Sequence, residues 1–311
     1  MDRNEARYRV IAFLLQAEEP LTLDELASGC DIGTAALQAA LEGLTRERLV
    51  VAGALAPDKP APQYRWAAYW HSETGPQAAG AKQDLRALVE AKEAQPPAKL
   101  TIDGEPVLAF HRFIINRYSP PKDKRFLVFL QCSVRRPFSN SPSHASMRRA
   151  IAVATGFDPR DERQQCPVHV VVLASKIGPV PYELEDVYPA NVGGGGVKHF
   201  DREYYARVRP VLAERMAEYM STHGGHYEKM ASFTEGRYGE VMEEAAKIAG
   251  VELPIFPDKS GPRVIQMGGS KPRAYWQRYW IQLYLEIVGW LDPPQQAEAA
   301  ERLAALEVEF R

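Results

Sequence analysis

Two short, almost purely apolar runs constrain this chain more than anything else in it. Phe126–Leu130 reads FLVFL and Val168–Ala174 reads VHVVVLA. A strand with one wet face alternates polar and apolar residues, whereas a strand covered on both faces does not. Helical spacing follows each run, over Pro142–Thr155 after the first and Arg202–Ser221 after the second. Tyr227–Phe233 reads as a third strand, Tyr238–Ala249 as its helix, and Val264–Met267 as a weaker fourth strand. Strands that alternate with helices predict the α/β class, a mostly parallel sheet flanked by helices. Ligands of such sheets lie at the carboxyl ends of the strands, so the residues leaving each strand come next.

Residues 1–70 carry a different pattern, that of a winged helix-turn-helix. Tyr8, Ile11, Leu14 and Leu15 line one face of a first helix, and a second starts near Thr22 with Leu23, Leu26 and Ala27. Gly29 and Gly33 bracket a turn, and Thr34 starts a third helix with Leu37, Leu41 and Leu44 at helical spacing. Leu49–Val51 and Tyr64–Trp66 read as strands around a wing-like loop, Ala56–Pro62. Such a module puts its third helix in the major groove of DNA or serves as a protein contact. Here that helix offers only Arg46 and Arg48, beside Glu42 and Glu47. Residues 71–100 read as a connector with a helix over Gln83–Ala94, and 101–311 as the α/β domain with a helical C-terminal part.

The chain leaves the first strand as Gln131-Cys132-Ser133-Val134-Arg135-Arg136-Pro137-Phe138-Ser139-Asn140-Ser141-Pro142-Ser143-His144. Ser141 followed by Pro142 is a helix start, so the free backbone N–H groups of that start face the strand end and favour an anion such as phosphate. The net charge of −2 over 311 residues gives no global attraction to nucleic acid, so a local patch has to supply it. From Arg112 to Arg149 nine Lys/Arg stand against one acid, Asp123. Arg135, Arg136, Arg148 and Arg149 are the candidate phosphate contacts there, joined by Lys176 after the second strand and by Lys271 and Arg273 in a later loop.

The same segment resembles the signature of the archaeosine synthase core domain, Pro-Cys-x3-Lys-Pro-Tyr-x2-Ser-x2-His. Its spacing is kept through Cys132, Arg136-Pro137-Phe138, Ser141 and His144. The upstream EPVLAFHRFIINRYSPP and the downstream ASKIGPVPYELEDVYPA are also similar, so the resemblance spans roughly residues 104–250 in three ordered segments. It implies the fold of the uracil-DNA glycosylase superfamily and a place among enzymes that act on a nucleic-acid base, for archaeosine synthase a 7-deazaguanine in tRNA. Three positions depart: Gln131 for proline, Arg136 for lysine and Phe138 for tyrosine. An arginine stays protonated and is a poor nucleophile. That loss, with a DNA-type accessory module, turns the expectation toward a DNA glycosylase in antiviral defence or repair. Such an enzyme flips a modified base, a hypermodified phage cytosine for example, out of double-stranded DNA and leaves an abasic site. Two alternatives remain, an archaeosine-synthase-like tRNA enzyme needing a free amine donor, and a non-catalytic DNA-binding regulator.

Glycosidic cleavage needs a carboxylate to orient water or steady an oxocarbenium-like sugar. Glu183 and Glu185, with Asp186 behind them, supply candidates after the second strand. His144 is the candidate donor to the departing base. Cys132, Ser133, Phe138, Ser139, Ser141, Tyr188 and Asn191 are the candidate base-binding residues, the two aromatics by stacking. No cofactor or metal is expected. Cys30, Cys132 and Cys166 are widely spaced, and His223 and His226 read as a turn rather than a metal site. With no signal-peptide core and no apolar run of membrane length, a cytoplasmic location is expected.

Overall fold

The computed structural model describes residues 3–17, 20–46, 50–53, 55, 58–66, 100–192 and 196–311. Residues 71–99 of the expected 71–100 connector, with its helix at Gln83–Ala94, and Glu47, Arg48 and Leu49, lie outside the described residues. The chain divides into two compact units, Met1–Pro121 with Glu183–Val192, and Lys122–Tyr182 with Gly193–Arg311.

In the first unit, helices α1 (Arg3–Gln16), α2 (Leu23–Cys30) and α3 (Thr34–Arg46) accompany a three-stranded antiparallel sheet. Its strands are β1 (Leu21–Thr22), β2 (Val50–Gly53) and β3 (Gln63–Trp66), in the order β1-β3-β2. Helix α2 begins where it does because the Thr22 hydroxyl accepts the Glu25 amide while the Glu25 carboxylate accepts the Thr22 amide. The helical spacing read from sequence faces inward: Ile11, Leu14, Leu26, Leu37, Leu41 and Leu44 are all buried. A fourth helix, α4 (Glu105–Asn116), escapes the sequence reading, although Val107, Phe110 and Ile114 recur at helical spacing and are buried.

The second unit is built on a five-stranded sheet in the order β6-β5-β4-β7-β8. Strands β4 (Phe126–Gln131), β5 (Val168–Ala174), β7 (Lys229–Phe233) and β8 (Ile255–Phe256) run parallel, and β6 (Gly178–Pro181) pairs antiparallel with β5. The sheet is therefore mixed and mostly parallel, as the two apolar runs require: every residue of β4 and β5 is buried. Helices α5 (Pro142–Thr155), α6 (Arg202–His223) and α7 (Arg237–Ala249) connect the strands, and α8 (Tyr275–Val288) and α9 (Pro293–Ala304) follow. Helices α8 and α9 pack on α5, and α6 packs on α7.

Ser141 starts α5 by accepting the His144 amide at 3.2 Å, with Pro142 at the first helical position. At its other end Arg302 of α9 donates to the carbonyls of Val153 and Ala154 at 2.8 and 2.9 Å, satisfying acceptors that the helix leaves open. Val264–Met267 is a strand, β9, but it does not join the main sheet. It pairs with β10 (Val308–Phe310) as a separate antiparallel ribbon. The last helix, α9, stops at Ala304, and Glu307, with φ 48°, turns the chain into β10. No helix among the described residues is long and apolar enough to cross a membrane.

Candidate functional site

The connection from β4 leads to β5 on one side of it, while the chain later returns to β7 on its other side and goes on to β8 beyond. The connections that leave β4 and β7 thus diverge. In open α/β sheets the crevice at such a divergence is the usual ligand site. Gln131, the last residue of β4, spans these two exits: its side-chain oxygen accepts the Glu235 amide beyond β7 at 3.1 Å.

Next to it, three side chains from three strand exits meet in a triangle. Cys132 Sγ lies 2.8 Å from Ser175 Oγ and 2.8 Å from the Tyr238 hydroxyl, and the two oxygens are 2.8 Å apart. Cys132 follows β4, Ser175 follows β5, and Tyr238 opens α7 after β7. The Val197 N–H donates to both oxygens, at 3.1 and 3.2 Å. Gly196 lets that backbone approach, because a Cβ there would stand 2.7 Å from the Tyr238 oxygen. Burial, and then the neighbouring Cys132, push the Tyr238 hydroxyl well above its ordinary pKa, so it keeps its proton. Each of the three groups can donate and accept, so the triangle can close as a ring of hydrogen bonds. Arg237, beside it, donates to the carbonyls of Val197 and Phe200 and fixes this wall.

His144 sits under the same edge, fully buried. Its Nε2–H donates to the Gln131 carbonyl at 2.9 Å, since a carbonyl can only accept, and Nδ1 therefore accepts the Tyr182 hydroxyl at 2.6 Å. Burial, with help from Arg136 and Arg148, pushes its pKa down to about 3. The ring is neutral with both nitrogens occupied, a strut between the β4 exit and Tyr182. Phe138 and Ser139 are buried beside the helix start, and the Phe138 ring stacks on His144 at 6.1 Å between centroids. Ser141 is the cap of α5, and the half-buried Ser133 donates to the Arg135 carbonyl.

The basic run separates into cations with structural duties and cations facing water. Lys124 is buried on the carbonyls of Arg163 and Cys166, Arg125 pairs with Glu228, and Arg112 pairs with Glu105. Arg148 bridges Asp158 and Asp161 at 2.7 and 2.5 Å and donates to the Ser139 carbonyl. Arg136 folds back on its own loop, donating to the Ser133 carbonyl and lying 3.9 Å over the Phe138 ring. Arg135, Arg149, Lys271 and Arg273 are exposed, and Lys176 is half-buried.

Glu183, Glu185, Asp186, Tyr188 and Asn191 fall in the first unit. Glu183 accepts the Tyr118 hydroxyl at 2.5 Å, and Asp186 forms an ion pair with Arg7 of α1. Glu183, Glu185 and Asp186 are all buried, and burial raises the Tyr188 hydroxyl pKa. Structure thus joins Cys132 to the strand-exit triangle and His144 to the Gln131 carbonyl, and sets the three acids in the other unit. Ser175, Tyr238 and Val197 were not singled out from sequence. Ser175 stands directly after the second apolar run, which was a usable signal, whereas nothing local marks Tyr238. No group of three or more His, Cys, Asp or Glu among the described residues could hold a metal ion.

Fold and site define an α/β protein with a polar cluster at the diverging strand exits of a mixed, mostly parallel sheet. Within that class the chain belongs to the family described as a domain of unknown function (DUF5591), whose model matches residues 107–262. It is similar to archaeosine synthase subunit alpha of Methanosarcina acetivorans, 33% identical over 47% of this chain and 21% of that protein. The same-named protein of Thermococcus kodakarensis is 30% identical over 49% of this chain and 24% of its own length. The archaeosine synthase of Haloferax volcanii is 26% identical over 51% and 24%. The chain thus spans between a fifth and a quarter of the length of these curated relatives.

These relatives correct the expectation of a DNA glycosylase cleaving N-glycosidic bonds, together with its antiviral or repair setting and its partner, double-stranded DNA with modified bases. All of those named above are archaeosine synthases. The error lies in weighing three changed signature positions and an accessory module above agreement across half the chain. Arg136 illustrates the error, because its guanidinium is used within its own loop and says little about the reaction.

Proposed function

We propose that this chain carries the base-modifying domain of an archaeosine-synthase-type enzyme, acting on a 7-deazaguanine base in tRNA with a free amine as co-substrate. The observation that carries the reading is the Cys132–Ser175–Tyr238 ring at the diverging strand exits, inside the residues that match the family. A base reaching that crevice would meet hydroxyl and thiol groups that both donate and accept, which suits a heterocycle with several polar edges. Cys132 and Tyr238 are our candidate substrate contacts. His144 and Gln131 would act as positioning residues behind them. Arg136 would shape its own loop rather than react, since a guanidinium holds its proton. Arg135, Arg149, Lys176, Lys271 and Arg273 would meet phosphates.

We further read the second unit as a uracil-DNA-glycosylase-like domain and the N-terminal helices and small sheet as a winged helix-turn-helix. The three-helix, three-strand content of residues 3–66 supports the latter. Its role here would be to hold nucleic acid or a partner protein.

Incubating the protein with tRNA bearing a 7-deazaguanine and a series of amine donors, followed by mass spectrometry of the released nucleosides, tests the function. The expected result is a mass gain on the modified nucleoside matching one donor, reduced at least about 100-fold in Cys132→Ser and about 10-fold in Tyr238→Phe. No mass change with any donor, or full activity in both variants, would remove the reading.

A further inference from the structure

We propose that Tyr275 and Trp276, in the first turn of α8, form a stacking platform for an unpaired nucleotide of the RNA, next to the strand-exit crevice. The proposal rests on the functional reading above only in taking RNA as the ligand.

Most rings of α8 do what amphipathic spacing demands: Tyr279, Trp280 and Tyr284 are buried in the core. Tyr275 and Trp276 differ, being only half-buried. The Trp276 ring rests 5.7 Å from Phe233, the last residue of β7, and 5.3 Å edge-on from Tyr275. Tyr275 in turn stands 4.8 Å from Tyr279. Burial, and then the Glu235 carboxylate beside it, raise the Tyr275 hydroxyl pKa, and the Glu235 amide is the group held by Gln131. A short chain of contacts therefore ties the platform to the residue that precedes Cys132. Apolar ring area left part-wet at this edge gains by being covered, and a nucleobase face covers it without regard to sequence.

Charge selects the occupant. The stretch Gly268–Arg278 carries Lys271, Arg273 and Arg278 and no acid, and all three cations are exposed. The carboxylate placed beside the platform is Glu235, next to Tyr275. Aromatic faces flanked by mobile-headed cations suit a flexible strand, whose bases are open to stacking, better than a duplex, whose bases are already stacked.

Fluorescence anisotropy with a labelled 12-nucleotide oligouridine and with an RNA duplex of equal length, on the full chain, tests this. Trp276→Leu, which keeps the apolar contact with Phe233, is expected to weaken single-strand binding about 10-fold, and Trp276→Phe by less than about 3-fold. Lys271→Ala with Arg273→Ala, both on the surface and harmless to folding, should weaken binding and flatten its salt dependence by about one to two ions. Unchanged binding in both Trp276→Leu and the double lysine–arginine variant would overturn the platform, as would a duplex bound as tightly as the single strand. If modified tRNA gains mass while Trp276→Leu alters neither KM nor oligouridine binding, the platform falls and the functional reading stands. If oligouridine binding is sensitive to Trp276→Leu but no nucleoside gains mass, the platform stands and the base chemistry falls.

Discussion

His144 carries a measurable consequence in a single ring. Its neutral form is held by the Gln131 carbonyl and the Tyr182 hydroxyl, and burial lowers its pKa to about 3 against an ordinary value near 6.5. The unfolded chain therefore binds a proton that the folded chain refuses between those two values. That contribution to stability is complete above about pH 6.5 and is lost as pH falls toward 3, at about 1.4 kcal/mol per pH unit. Glutamine can still donate to the carbonyl and does not titrate. His144→Gln should be less stable at pH 7, by about 1–2 kcal/mol, yet lose less on acidification, with a slope flatter by one proton. Urea unfolding midpoints at pH 7, 6 and 5 give the comparison. Parallel curves for the two proteins would show that the ring does not stay neutral.

Among the elements, the β5–β6 hairpin depends on one residue. Gly178 has φ 98°, and a Cβ added there would lie 3.1 Å from the Arg215 side chain, which itself donates to the Ile177 carbonyl. Both backbone conformation and space exclude a side chain. Gly178→Ala should cost about 1–3 kcal/mol in thermal or urea unfolding, and it should displace Ser175, three residues before it, enough to lower activity. An unchanged stability would mean that the turn relaxes freely. Much of the element level was legible. The apolar runs became β4 and β5, and Ser141-Pro142 became the start of α5, because burial on both faces and capping are local properties of sequence. The edge strands β6 and β8 were not legible, since GPVP and a two-residue strand acquire strand character only by pairing with a neighbour.

At the scale of the whole molecule a net charge of −2 conceals a division of labour among cations. Arg148, Arg125 and Lys124 serve the fold, whereas Arg135 and Arg149 face water. Arg135→Glu with Arg149→Glu should weaken tRNA binding and flatten the dependence of log Kd on log salt by about two ions, with the melting temperature unchanged. Arg148→Ala should instead lower the melting temperature. A stability loss in the first variant, or none in the second, would reverse the assignment. Sequence by itself determined the class of sheet and the start of α5, because hydrophobic runs and caps are written within a few tens of residues. Tertiary structure alone decided that Ser175, Val197 and Tyr238 close around Cys132, that Val264–Met267 leaves the main sheet for β10, and which arginines are occupied. The first two outcomes depend on pairing between groups from 22 to 106 residues apart, and no local pattern records such distances.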